Sequence, residues 1–147
     1  MSLLHIELKP GEKCIVGGAV ISNPKFVRIK IAVENAANIS VLRGDMVMTA
    51  EKVDTLCKNL YFTIQLMYID SENKAVHKKA YKSQLAAIEK AVPSFKDEIE
   101  RLKEHIRDGL YYKALLKAAD LIKAESLLIA PLAHESNDLQ EQLQGKN

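Results

Sequence analysis

Hydrophobic periodicity changes once along this chain, near Met48, and that change calls for a fold of two unlike parts. Before Met48, apolar and polar residues alternate in short runs, as half-buried strands do. After it, apolar residues recur at spacings of three and four, as along one face of a helix. Leu4 to Leu8 alternates with His5 and Glu7. Lys9-Pro10-Gly11-Glu12 is a turn, because proline fixes φ and glycine accepts a positive one. Lys13–Val16 and Ala19–Ser22 flank a Gly17-Gly18 hairpin turn, and Asn23-Pro24 breaks the second of them. Phe26 to Val33 is predicted as a fourth strand, with Val27, Ile29, Ile31 and Val33 on one face, and Ile39 to Arg43 as a fifth. Five such short strands bury too little by themselves, so a second chain or the helical segment must complete them.

Beyond Met48 the pattern predicts four helices. Thr49 is the expected N-cap of the first, with a stripe of Val53, Leu56, Leu60, Ile64 and Met67 ending near Asp70. The second runs from Lys74 to Val92 along Val76, Ala80, Leu85, Ile88 and Val92. The third follows Pro93, with Ser94 as its expected cap, buries Ile99, Leu102 and Ile106, and ends at Gly109. The fourth spans Leu110 to Ile129, with Tyr112, Leu115, Ala119 and Ile122 inward and Pro131 as its stop. The fold class expected is α+β, with an antiparallel β module over 1–48, a helical module over 49–130 and a flexible polar tail over 131–147.

Composition excludes several functions. No apolar run reaches the roughly 18 residues of a membrane span, and Glu7 and Lys9 interrupt any leader-like start, so a cytoplasmic protein is expected. Cys14 and Cys57 stand far apart, the four histidines are scattered, and no phosphate-cradling glycine loop or nucleophile motif occurs. These absences predict no metal, no cofactor and no enzyme activity. The formal charge is +2, and all of the excess lies in residues 1–48, while residues 49–147 balance. Within the third helix Glu100–Glu104 and Lys103–Arg107 are like-charged pairs one turn apart, a face that gains little from itself.

The order of signals in the first third resembles the carbon storage regulator (CsrA) family. It comprises Gly11-Glu12 after the first strand, a Gly17 turn, Val27-Arg28-Ile29, an Asn35-Ala36 loop and Val41-Leu42-Arg43. Ala37 replaces that family's loop proline, Leu42 its histidine, and Leu8-Lys9 a pair of arginines. The resemblance implies a strand-interlocked dimer whose first and last strands form an RNA-binding edge. Lys9, Lys13 and Arg43 are the residues that edge would use here, Arg43 as a bidentate fork for a base or phosphate. An ion pair of Arg43 with Asp45 or Glu12 is the alternative.

A second resemblance covers residues 4 to about 129. Leu8-Lys9-Pro10-Gly11-Glu12, Ile15-Val16-Gly17-Gly18, Gln65-Leu66-Met67-Tyr68 and Asp108-Gly109-Leu110-Tyr111-Tyr112-Lys113-Ala114-Leu115 are similar to the FlbT family of flagellin synthesis regulators. This implies post-transcriptional control of flagellin synthesis, repressing or, as in some relatives, activating, exerted on the flagellin mRNA leader, with flagellin or the co-regulator FlaF as a direct partner. The competing expectation is an adaptor that holds flagellin or a co-regulator through the helices. Tyr61, Met67, Tyr68, Tyr111 and Tyr112 read as core or core edge, and otherwise as the lining of a partner groove.

Overall fold

The computed structural model describes residues 3–145, with side chains through Ile129. Five antiparallel strands precede four helices, the α+β order expected. Strand β1 (Leu4–Leu8) pairs with β4 (Ile29–Val33) in a ribbon. Strand β2 (Lys13–Val16) lies between β3 (Ala19–Ser22) and β5 (Val41–Leu42). The β2–β3 turn places Gly17 at φ 58° and Gly18 at φ 85°, the consecutive left-handed residues that a two-residue hairpin needs.

Alternation along β2 decides the layering. Cys14 and Val16 face the ribbon, in a small core with Ile6, Leu8, Ile29, Ile31 and Val41. Ile15 points the other way and joins Leu42 in the core of the helices. The three-stranded sheet is thus a middle layer, ribbon on one face and helices on the other. The helical segment supplies the partner that the strands lack.

Two strands are shorter than the sequence predicts. The fourth begins at Ile29, not Phe26. The buried Asn23 donates from Nδ2 to the Leu8 carbonyl (3.0 Å) and the Val27 carbonyl (2.9 Å), and its Oδ1 accepts from the Lys25 amide (3.0 Å). These bonds fold residues 24–28 into a loop around one amide and leave Phe26 97 % exposed. The fifth contracts to Val41–Leu42 because Ala36–Asn38 and Gly44–Met46 each take a 3₁₀ turn.

The first helix, α1 (Leu56–Ile69), starts six residues later than expected. Thr49 instead precedes a 3₁₀ turn at Ala50–Lys52, and Thr55 is the N-cap, its hydroxyl accepting from the Lys58 amide (3.2 Å). Leu56 is exposed, while Leu60, Ile64 and Met67 are buried as the stripe requires. Helix α1 packs between α2 (Lys74–Ala91) and α4 (Tyr111–Gly145), with α3 (Lys96–Arg107) against α4. Cys57, Tyr61 and Gln65 are buried beside the stripe, so this helix is covered on more than one face. On α2 the buried residues are Tyr81, Leu85 and Ile88, and Val76 is exposed, against expectation.

Helix α3 buries Ile99, Leu102 and Ile106 as predicted, but Ser94 lies inside a 3₁₀ turn and does not cap it. Gly109, at φ 75°, ends the helix: its amide donates to the Ile106 carbonyl (3.1 Å) and the Leu110 amide to the His105 carbonyl (2.8 Å). That pair of bonds is the Schellman arrangement. Helix α4 continues past Pro131, where the sequence predicts its stop. A proline removes one backbone bond from a helix and bends it without always ending it. The side chains of the predicted polar tail lie outside the described residues. Inward on α4 are Ala114, Leu115, Ala118 and Leu121, and Tyr112 sits at the rim, not inside.

Candidate nucleic-acid interface

The Lys9–Glu12 turn closes through the Glu12 amide on the Lys9 carbonyl (2.9 Å), with Gly11 at φ 75°. Glu12 then accepts at Oε1 from the Lys9 amide (3.2 Å). The Gly11 amide donates to the Asn23 carbonyl (2.9 Å), and the Asn23 amide to that of Glu12 (3.1 Å). The turn bearing Lys9 and the start of the strand bearing Lys13 are therefore held rigidly from two sides.

Gly44 fits against this turn only because it has no side chain. A Cβ there would stand 2.5 Å from Glu12 Cγ and 2.7 Å from the Lys13 carbonyl. The contact creates a groove of about 440 Å³ in which Lys9 and Lys13 converge with Lys52, next to Gly44 and Thr49. Lys52 is a cation that the sequence reading missed; no local pattern brings it to the turn, since the 3₁₀ turn at Ala50–Lys52 does so. Arg43 is exposed and stands one residue before Gly44, outside the groove lining. Among the described residues it makes no ion pair with Asp45 or Glu12. The structure thus joins Lys9 and Lys13 in one groove and sets Arg43 on its flank.

Glu12 is the acid in the groove lining, and a second acid, Glu51, precedes Lys52 in the chain. Hydrogen bonds from its own backbone and from Thr49 hold the Glu51 carboxyl below the ordinary value, and the charge of Lys13 adds to the effect. The site is net basic: Lys9, Lys13 and Lys52 stand with two acids, Glu12 and Glu51.

Helix α1 fastens the segment that carries Arg43 and Gly44. The buried Gln65 accepts from the Met48 amide (2.7 Å) and donates to the Met48 carbonyl (2.9 Å), as a strand partner would. The Tyr68 hydroxyl accepts from the Val41 amide (3.3 Å), Ser40 Oγ donates to the Tyr68 carbonyl (2.9 Å), and the Tyr61 hydroxyl donates to the Met46 carbonyl. Gln65 and Tyr68 therefore act as clamps for residues 40–48. Their signal in the sequence is a glutamine set between Ile64 and Leu66 in the apolar second half of the helix. Tyr111 is partly buried with the Lys74 ammonium 4.5 Å from its ring centre, and Tyr112 reaches Met46 Sδ at 3.4 Å.

A family of flagellar proteins, described as "Flagellar protein FlbT", matches residues 4–129. A "Probable flagellum biosynthesis repressor protein FlbT" of Rhodopseudomonas palustris is 35 % identical over 127 residues, covering 86 % of this chain and 98 % of the relative. The corresponding protein FlbT 1 of Bradyrhizobium diazoefficiens is 36 % identical over 125 residues, 85 % of this chain and 84 % of the relative. The "Flagellum biosynthesis repressor protein FlbT" of Caulobacter vibrioides is 31 % identical over 124 residues, 83 % of this chain and 86 % of the relative. No solved structure matches.

Proposed function

The chain belongs to the FlbT family, and on that premise we propose that it is a cytoplasmic post-transcriptional repressor of flagellin synthesis that binds the flagellin mRNA leader. The observation that carries the reading is the convergence of Lys9, Lys13 and Lys52 in one groove, with an exposed Arg43 on its flank. Lysines neutralise phosphates from any direction, while the planar guanidinium of Arg43 reads a base edge or clamps one phosphate in two bonds. A single-stranded loop of the leader suits such a rim, because its bases are splayed out.

The active species is a homodimer joined through the strand module. Phe26 and Val27, 97 % and 65 % exposed, together with Val20 leave apolar surface there for a second copy. An interlocked dimer of the CsrA kind would exchange the pairings seen within one chain, β1 on β4 and β5 on β2. Two copies would double the basic rim.

The test is a salt-titrated binding assay with the flagellin leader, run on wild type and Arg43→Ala, with sedimentation of the same samples. Affinity should fall steeply with salt, and Arg43→Ala should weaken it by about 1–3 kcal/mol. Unchanged affinity removes Arg43 from the site, and a monomer at micromolar concentration removes the dimer. If pure protein ignores the leader, the adaptor reading gains, with flagellin or FlaF as the ligand of the helices. Its support is the exposed run Leu127, Leu128 and Ile129 on α4.

A further inference from the structure

The charge balance of residues 49–147 conceals a strong local excess. Helix α2 carries Lys74, Lys78, Lys79, Lys82 and Lys90 against a single acid, Glu89. Between α2 and α3 runs a groove of about 490 Å³, lined on one side by Lys78 and Lys82 and on the other by Lys103 and Arg107. Each pair is one helical turn apart on its own helix, so like charges face solvent side by side and also face each other across the groove. Lys103 is held by Glu89 (3.0 Å) and Glu100 (3.4 Å), which uses the one acid in the lining. Lys78, Lys82 and Arg107 are exposed, and among the described residues none of them has an ion-pair partner. A polyanion lying in the groove would remove this repulsion.

The floor of the groove indicates which polyanion. Tyr81, Leu85 and Ile106 line it, but each is already buried, at 4 %, 4 % and 7 % exposure. A partner helix needs exposed apolar pockets for its anchors, and here they are filled from within. Base stacking needs an open aromatic face, and Tyr81 presents none. What remains is a track of cations fit for a sugar–phosphate backbone. We infer that the α2–α3 groove is a second RNA contact, separate from the Lys9–Lys13–Arg43 rim, which holds phosphates of a single strand without reading its bases. The inference rests on the RNA reading above and adds to it a division of labour: the rim selects, and the groove adds affinity to any strand that reaches it.

The experiment uses the full chain and two probes, the flagellin leader and a labelled oligouridylate, from about 50 to 200 mM salt. Lys78→Ala/Lys82→Ala should weaken oligouridylate binding roughly tenfold at low salt and flatten its log–log salt slope by about 1.4, two phosphate contacts' worth. The leader should weaken alongside it. The rim variant Lys9→Ala/Lys13→Ala/Arg43→Ala should lose the preference for leader over oligouridylate while keeping the groove's share of the slope. Oligouridylate binding unchanged in the groove variant overturns the inference. Polyglutamate bound by wild type as tightly as oligouridylate also overturns it, since the occupant is then an acidic protein. If oligouridylate binds and the leader binds no tighter, the rim reading alone falls. If neither RNA binds wild type, both fall together.

Discussion

The strand region keeps a core of its own in Ile6, Leu8 and Cys14, whereas the helices bury Leu60, Ile64, Met67, Ile99, Leu102, Leu115 and more around α1. Outward, both regions leave large apolar side chains in solvent, Leu56, Val76, Leu116 and Leu127 among those of the helices. Leu3, Val20, Phe26 and Val27 leave large apolar side chains in solvent from a stretch of about 25 residues of strand and loop. Two layers of two and three short strands have little interior to offer. What stabilises them is that β2 and β5 each turn one residue, Ile15 and Leu42, into the helical core. Gln65, Tyr61 and Tyr68 of α1 then hydrogen-bond the strand-to-helix segment from the same side. The helices serve as the base, and the outer edges and turns of the sheet stay at the surface.

The sharpest way to break that contrast is Leu42→Ala. The side chain is fully buried where the sheet meets the helices. Truncating a buried leucine costs about 2–5 kcal/mol, because the lost transfer energy adds to the cavity left behind. Urea unfolding followed by far-UV circular dichroism for the helices and by backbone NMR for the strands should show both signals shifting together. If the strand signals melt first and the helical midpoint stays put, the two regions are independent and the base-and-edge picture fails.

Asn23→Ala should cost less, about 1–3 kcal/mol, and act on one side of the comparison only. It strands the carbonyls of Leu8 and Val27 and the amide of Lys25, all in the strand region. Hydrogen exchange should speed up through β1, the 24–28 loop and β4, and leave α1 and α3 protected. Acceleration spread evenly over the helices would show that this amide holds more than its own loop.

Much of this architecture was legible because it depends on short-range periodicity. The alternation of Leu4–Leu8, the Ile99–Leu102–Ile106 stripe and the Gly109 terminus all follow from residues two to four apart. The misreadings came from long-range partners. Phe26-Val27-Arg28 has the composition of a strand, but Asn23 takes the backbone groups there. Thr49 is an acceptable cap, yet Gln65 holds Met48 and delays the helix to Thr55. At the site, Lys9 and Lys13 were legible as cations flanking a turn. Lys52 and the close approach of Gly44 were not, since both depend on how residues 44–52 fold back on that turn. The α2–α3 groove stayed hidden for the same reason: a neutral sum over residues 49–147 says nothing of which cations share a face.

The two free cysteines allow the smallest effect to be read, because one lies in each core. Burial, with Glu125 beside it, pushes the Cys57 thiol up to about 12, and burial pushes Tyr61 and Tyr81 to about 12 as well. Burial, helped by Glu12, also raises Cys14. An acid whose pKa is raised on folding stabilises the native state only while both states keep the proton. The unfolded thiols begin to ionise near their ordinary value of 9.0 and the phenols near 10.0. These groups therefore leave stability flat between about pH 6 and 8 and lower it as the pH rises from about 9 toward 12, with no further loss once the folded groups ionise too. Labelling by a thiol reagent at about pH 8 separates the cores. Both thiols are protonated and buried, so each reacts only through opening. Cys14 should label at the rate at which the strand region opens locally, and Cys57 more slowly, at the rate of global unfolding. Equal rates for the two would mean that the small core opens only when the helices do, and that the sheet is as firmly held as its base.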